Sequence, residues 1–303
     1  MMSQPYTLVG VDIEGEWNRP LLANAAAVSG CPCVLAPSAD FTKALAGQDS
    51  PGGDALESVL RGFRRVIACE TTKSSVSIYD FPAPRERTAI LVGNEEAGLP
   101  RGVLKRADSF VSIPMARSGL SSLNVAVAAA ISLYALTRDL GRKKRPRGFL
   151  RSADVDVLIE ASADPHELGS LLRSVYAFGW RRVFLSDPHR VWFTEDPRVT
   201  LEGRAAARRA KNLLAVLPAE KLEPAAYDAM LICDPSQQGQ ALSRLRLPEC
   251  QRLLVVLGAG EPQAGFGAPA AHVTVDFVDR TVPARTRHTG SILLSVIATM
   301  LDA

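Results

Sequence analysis

The residues with most to offer chemistry lie between Ile90 and Tyr134. There ILVGNEEAGLP is followed by a short amphipathic piece, VSIPM, a glycine-containing loop and SSLNVAVAAAISLY. Two apolar strands each run into a polar, glycine-bearing loop, and the second loop opens a helix of small residues. Gly93 and Gly98 let backbone approach a ligand closely, with Asn94 and Glu95 between them. Val92 ends the first strand. Ile113, Pro114 and Met115 end the second, where proline removes a ladder donor. Ser122, Leu123 and Asn124 then open the helix, and Ser and Asn serve equally well there as caps. Such a layout suits recognition of a nucleotide-like ligand by main-chain atoms. The first strand, VGVDIEGEW, carries no G-x-G-x-x-G, which counts against a dinucleotide-type fold acting on a small molecule.

These loops need a scaffold. The chain has 303 residues, 47% hydrophobic and 22% charged, enough for two domains. No apolar run reaches the roughly 18–20 residues of a membrane span. The N-terminus lacks a basic-then-apolar leader pattern, so a cytoplasmic protein is expected. RKKRPRG reads as a linker, dividing the chain into residues 1–141, a basic linker 142–150 and residues 151–303. Each half alternates apolar strands with amphipathic helices, an α/β fold with mainly parallel sheets. In the first half Leu21, Leu22, Ala25 and Val28 make a helical face that ends at Gly30. In the second, Leu168, Leu171, Leu172, Val175 and Tyr176 do the same before Gly179. RLLVVLGAGEPQAG parallels TAILVGNEEAG, and TGSILLSVIATML parallels SLNVAVAAAISLY. The same loops in the same order predict a tandem duplication.

Net charge is +3, which neither demands nor excludes nucleic acid. Two basic clusters, Arg142-Lys143-Lys144-Arg145 and the RAAARRAK stretch from Arg204 to Lys211, fit an RNA surface or a solvated linker and helix face. The five cysteines have neither disulfide nor zinc-ligand spacing, and buried thiols are expected. No metal site is expected.

The combination GNExxGL, IPM and SLNVAVAAAISLY resembles motifs 2 and 3 of the SpoU-type branch of the SPOUT RNA methyltransferases. With a weaker match in the second half, the resemblance covers nearly the whole chain. It implies two tandem SPOUT-like domains of trefoil-knot type and S-adenosylmethionine as cofactor. Main-chain atoms around Val92, Gly93, Asn94, Gly98, Ile113, Met115, Ser122 and Leu123 would line the cofactor. The family's first motif, close to N-x-G-A-I-I-R-T-A-x-A-F-G, supplies a catalytic arginine. The first half keeps Asn18 and Gly30 but has Asn24 at the arginine position. The second half keeps Arg173 and Gly179 but has Glu167 in place of the leading asparagine. Conversely, Asn94, Glu95 and Asn124 give way to Ala259, Gly260 and Ser291.

Family members work as homodimers in which motif 1 of one subunit faces the pocket of the other. The complementary losses therefore imply one composite site per chain, in a monomeric pseudodimer, with a homodimer remaining open. The implied reaction is 2′-O-methylation of tRNA or rRNA. Arg173, Asn124 and Glu95 would be catalytic, and Arg142, Lys143, Lys144, Arg145 and Glu167 would face RNA. Glu167 is the position in doubt: an acid there either repels RNA or pairs with a nearby arginine. The alternative reading is a non-catalytic RNA-binding or assembly protein with a vestigial pocket. Because motif-like sequence starts near residue 1, no separate N-terminal RNA-binding domain is expected.

Overall fold

Runs of Val, Ile, Leu and Ala without alternation belong to strands covered on both faces, as in parallel sheets flanked by helices. A computed structural model of the protein shows two such sheets; it describes residues 4–38, 55–116, 122–142, 154–160, 164–194, 199, 214–233, 239–258 and 267–301. Two compact units result. One comprises Met1–Ile113, Val125–Lys143 and Phe277–Pro283, the other Pro114–Asn124, Lys144–Asp276 and Ala284–Ala303.

The first unit holds strands β1 (Tyr6–Val11), β2 (Cys33–Ala36), β3 (Arg65–Cys69), β4 (Val76–Ser77), β5 (Thr88–Val92) and β6 (Ser109–Ser112). They form one parallel sheet in the order β2-β1-β5-β3-β6-β4. Its helices are α1 (Asn18–Val28), α2 (Ala55–Leu60), α3 (Arg101–Leu104) and α4 (Val125–Thr137). Val9, Val11, Ala68 and Leu91 pack under α2 and α3 through Leu56, Leu60 and Val103. Residues of the other parity, Leu8, Ile67 and Ile90, are fully buried on the opposite face. On that side α4 packs on β3, β5 and α1. Helix α4 is apolar all round, as a helix enclosed on every side must be.

The second unit holds β7 (Val155–Glu160), β8 (Arg182–Ser186), β9 (Ala215–Pro218), β10 (Ala229–Cys233), β11 (Gln240–Ala241), β12 (Leu253–Leu257) and β13 (Ala270–Thr274). Helices α5 (Pro165–Ala177) and α6 (Thr286–Leu301) pack together. The order is β11-β13-β10-β12-β7-β8-β9, again parallel. Read from the other edge, this is the order of the first sheet with β9 added beyond β8. The helical faces expected from sequence are buried in both α1 and α5.

The units depart from the sequence halves at two segments. Residues 114–124 belong with the second unit and 277–283 with the first. In the second unit the Ala116 amide donates to the Ala177 carbonyl at the end of α5 (2.9 Å); in the first, Asp279 donates to Val28 at the end of α1 (3.0 Å). Gly179 and Gly30 follow these helix ends with φ of +89° and +67°. A Cβ on Gly179 would lie 2.7 Å from the Ala116 methyl, and one on Gly30 2.9 Å from Val278. Both glycines therefore answer to backbone conformation and to close approach at once.

All five cysteines are free. Burial pushes the Cys31 thiol up to about 12 and that of Cys69 up to about 11. Among the described residues no helix is long and apolar enough to cross a membrane, and no group of three or more His, Cys, Asp and Glu side chains could hold a metal ion.

Candidate active site

Parallel α/β sheets bind ligands beyond the carboxyl ends of their strands, where strand order reverses. In the first sheet the order reverses about β1 and β5, and the loops after β1, β3 and β5 meet there. Asn94 and Gly98 close the loop after β5, each amide donating to the other's carbonyl at 3.1 and 3.0 Å. A Cβ on Gly93 would come within 2.3–2.5 Å of the Gly98 and Leu99 backbone, so only glycine fits. Gly98 has φ +70°. The Asn94 Oδ1 accepts from the Glu96 and Ala97 amides, both at 2.9 Å. Its Nδ2 donates to the Asp12 carbonyl (2.9 Å) and to Glu14 Oε1 (3.1 Å). The Asn94 side chain thus shapes the loop, leaving main-chain groups as its offering to a ligand.

Glu95 ties this loop to the one after β1. Its Oε1 accepts from Asn18 Nδ2 at 2.7 Å and from the Gly15 amide at 3.0 Å, and its Oε2 accepts from the Glu14 amide at 3.3 Å. Val92 and half-buried Ile113 complete the strand-end apolar positions of this unit.

Two carboxylates that sequence reasoning missed support the arrangement. Glu70, following β3, accepts from the Leu99 amide at 3.2 Å and lies 2.8 Å from where a Gly98 Cβ would be. Buried Asp12, at φ +56°, accepts from the Ser38 amide (2.6 Å) and hydroxyl (2.7 Å). Acids directly after apolar strands were the available signal.

The remaining expected residues belong to the second unit. Arg173 on α5 donates from Nη2 to Ser122 Oγ at 2.8 Å and from Nε to the Ser122 carbonyl at 3.2 Å. The third loop of the first half is therefore held by the arginine of the second. Met115 and Leu123 are half-buried here and Asn124 is buried. Asn24, at the arginine position of α1, donates instead to the Pro283 carbonyl at 3.0 Å. Ser291, at the position corresponding to Asn124, is buried and bonded to Ser174 Oγ at 2.8 Å.

Glu167 is a correction. Assigned to an RNA-facing position, it is buried, 3.8 Å from the guanidinium of buried Arg287 on α6. Burial pushes its carboxyl above the usual range, while Arg287 pulls it back. Of its two expected fates it pairs, because α6 covers that face of α5. Arg142 sits 3.3 Å from Asp139 at the end of α4. Lys143, Lys144, Arg145, Ala259, Gly260 and the stretch 204–211 lie outside the described residues.

A three-sided, glycine-closed loop at a strand-order reversal fits a nucleoside read by main-chain atoms. The sequence profile of the SpoU rRNA Methylase family matches residues 53–134. A tRNA (cytidine(34)-2'-O)-methyltransferase of Ancylobacter novellus is 34% identical over 151 residues, which is 45% of this chain and 89% of that protein. A tRNA (guanosine(18)-2'-O)-methyltransferase of Aquifex aeolicus is 37% identical over 98 residues, 31% of this chain and 44% of that one. A solved structure described as "Structural insights into the 2-OH methylation of C/U34 on tRNA" is 30% identical, covers 45% of this chain and 90% of its own, and has a TM-score of 0.35. The chain belongs to the SpoU methylase family, whose members are S-adenosylmethionine-dependent methyltransferases.

Proposed function

We propose that this protein methylates a ribose 2′-oxygen of tRNA or rRNA, using S-adenosylmethionine, at one site per chain. The first half supplies the cofactor loops and the second supplies Arg173. The observation that carries this reading is the pair of hydrogen bonds from Arg173 to Ser122. They join the only family arginine that survives in motif 1 to a loop of the only half that keeps the cofactor motifs. The shared strand order of the two sheets supports descent by tandem duplication, with one complete site left from two.

When bound, S-adenosylmethionine supplies a methyl group on a sulfonium, a good leaving centre. What this chain must do is alignment and charge control. The closed loop Gly93–Gly98 and the strand ends Val92 and Ile113 would hold the nucleoside by main-chain atoms. Glu95 would fix the loop against the start of α1, and Asn124 would position the target nucleotide. Ser122 fixes the orientation of the Arg173 guanidinium. Arginine stays charged, so it is a poor base. It would clamp the neighbouring phosphate and stabilise the developing alkoxide. The 2′-hydroxyl proton would pass to a phosphate oxygen or water as the new C–O bond forms and the C–S bond breaks.

The test is transfer of labelled methyl from S-adenosylmethionine to total RNA from cells lacking this protein, followed by nuclease digestion. A labelled 2′-O-methylnucleotide is expected. RNA that binds without acquiring label would establish the non-catalytic alternative.

A further inference from the structure

Among the described residues, Trp17 is the most exposed large apolar side chain, at 69%. Tryptophan is on average highly buried, and its indole carries a large apolar face. We propose that Trp17 is the stacking platform for an unpaired base of the RNA substrate, next to the ribose that is methylated. This rests on the reading of the site as an RNA methyltransferase.

Its position is an unusual one for tryptophan. Trp17 is the N-cap of α1, where it makes no side-chain cap hydrogen bond. Helix α5, the corresponding helix of the second unit, is capped by Asp164, which accepts from the His166 amide at 2.9 Å. Capping favours Ser, Thr, Asp or Asn, so the first unit gives up a stabilising contact at the place where it displays an indole.

The mounting is rigid. The Asn18 amide donates to the Gly15 carbonyl at 2.9 Å, and Asn18 Nδ2 shares Glu95 Oε1 with the Gly15 amide. A Cβ on Gly15 would lie 2.8 Å from both Asn18 Nδ2 and Glu95 Oε1. The indole is thus one residue from the contacts that join α1 to the cofactor loop.

The surroundings select the occupant. Glu14 and Glu16 precede Trp17 in the chain and are exposed; Glu14 Oε1 accepts from Asn94 Nδ2 at 3.1 Å, and exposed Arg19 donates to the Ile13 carbonyl at 3.2 Å. The Glu16 carboxylate disfavours a phosphate there but accepts hydrogen bonds from exocyclic amino groups. A base fits better than backbone, and cytosine, adenine or guanine better than uracil. Stacking on aromatic side chains is the usual way proteins hold unpaired RNA bases.

The test uses the full chain as wild type, Trp17→Ala and Trp17→Phe. Each is titrated with labelled single-stranded 9-mers of cytidine, of uridine and of abasic ribose-phosphate. We expect Trp17→Ala to weaken cytidine 9-mer binding about tenfold. Trp17→Phe should keep most of the affinity, the uridine 9-mer should bind the wild type less tightly than the cytidine one, and the abasic 9-mer should bind all three alike. Equal cytidine 9-mer affinity in wild type and Trp17→Ala, an equal loss with the abasic oligomer, or no oligomer binding at all overturns the proposal. Indole emission already blue-shifted in the free protein, judged by difference from Trp17→Phe, also overturns it, because the chain itself then covers Trp17. If wild-type enzyme methylates RNA and Trp17→Ala matches it in both KM and kcat, the platform fails and the function stands. If wild type transfers no methyl, the function fails.

Discussion

One strand order serves both sheets, yet among the described residues corresponding positions in the two units make different contacts. In the first unit Asn94, Glu95 and Glu70 hold a closed glycine loop against the start of α1. In the second, buried Ser291 bonds to Ser174 and Glu167 is buried against Arg287, so these two positions serve packing. The arginine position shows the reverse: Arg173 holds Ser122, whereas Asn24 donates to the Pro283 carbonyl. Under the proposed duplication, each strand is needed twice but each functional group only once.

The sharpest way to break this comparison is to exchange its two ends. Arg173→Ala should cut turnover about 10²–10³-fold, the scale for losing one preorganised donor. S-adenosylmethionine affinity should be unchanged by calorimetry. Asn24→Ala should retain turnover within about twofold. Equal effects in the two variants would erase the asymmetry.

Glu95→Ala should cost less, about tenfold to a hundredfold in kcat/KM. It frees the Gly15 amide and Asn18 Nδ2 without removing charge from the transferred group. Glu95→Gln should recover part of that, since an amide oxygen still accepts. Steady-state kinetics in RNA decide it.

The paired glycines separate stability from activity. Gly179→Ala and Gly30→Ala should each lower stability by about 1–2 kcal/mol, read by urea denaturation, because both sit at positive φ. Gly179→Ala also pushes on Ala116, in the segment that carries Ser122, so it should lower turnover as well. Gly30→Ala should not.

The last contrast is acid sensitivity confined to one unit. All four histidines lie in the second half of the sequence. Burial, with Arg287 and Arg285 adding to it, lowers the His288 imidazole to about 3. An unfolded histidine takes up its proton near pH 6.5. Stability from neutral His288 is therefore complete above about pH 6.5 and falls as pH drops toward 3, by up to about 1.4 kcal/mol per unit. Hydrogen exchange at pH 5 and 7 should show the second unit loosening first, and His288→Gln should flatten the difference.

Much of the fold was legible because it rests on local periodicity. The faces of α1 and α5, the glycine stops and the parallel strands each follow from spacing within one element. The proposed composite site rests on which motifs each half lacks, together with the Arg173–Ser122 contact. Contacts across long sequence separations were not legible. Glu95 meets Gly15 80 residues away and Glu70 meets Leu99 29 away, with no periodic signal to announce either. Glu167 was misplaced for the same reason: spacing puts it on α5, but only the packing of α6 decides that its side is inside. The exchange of segments 114–124 and 277–283 is likewise a tertiary fact, written in no single motif.

The central claim is that one complete site survives per chain. Isothermal titration of the purified full-length protein with S-adenosylmethionine counts it directly. One site per chain is predicted. Two equivalent sites would contradict the account, since the second unit would then have kept a working cofactor loop.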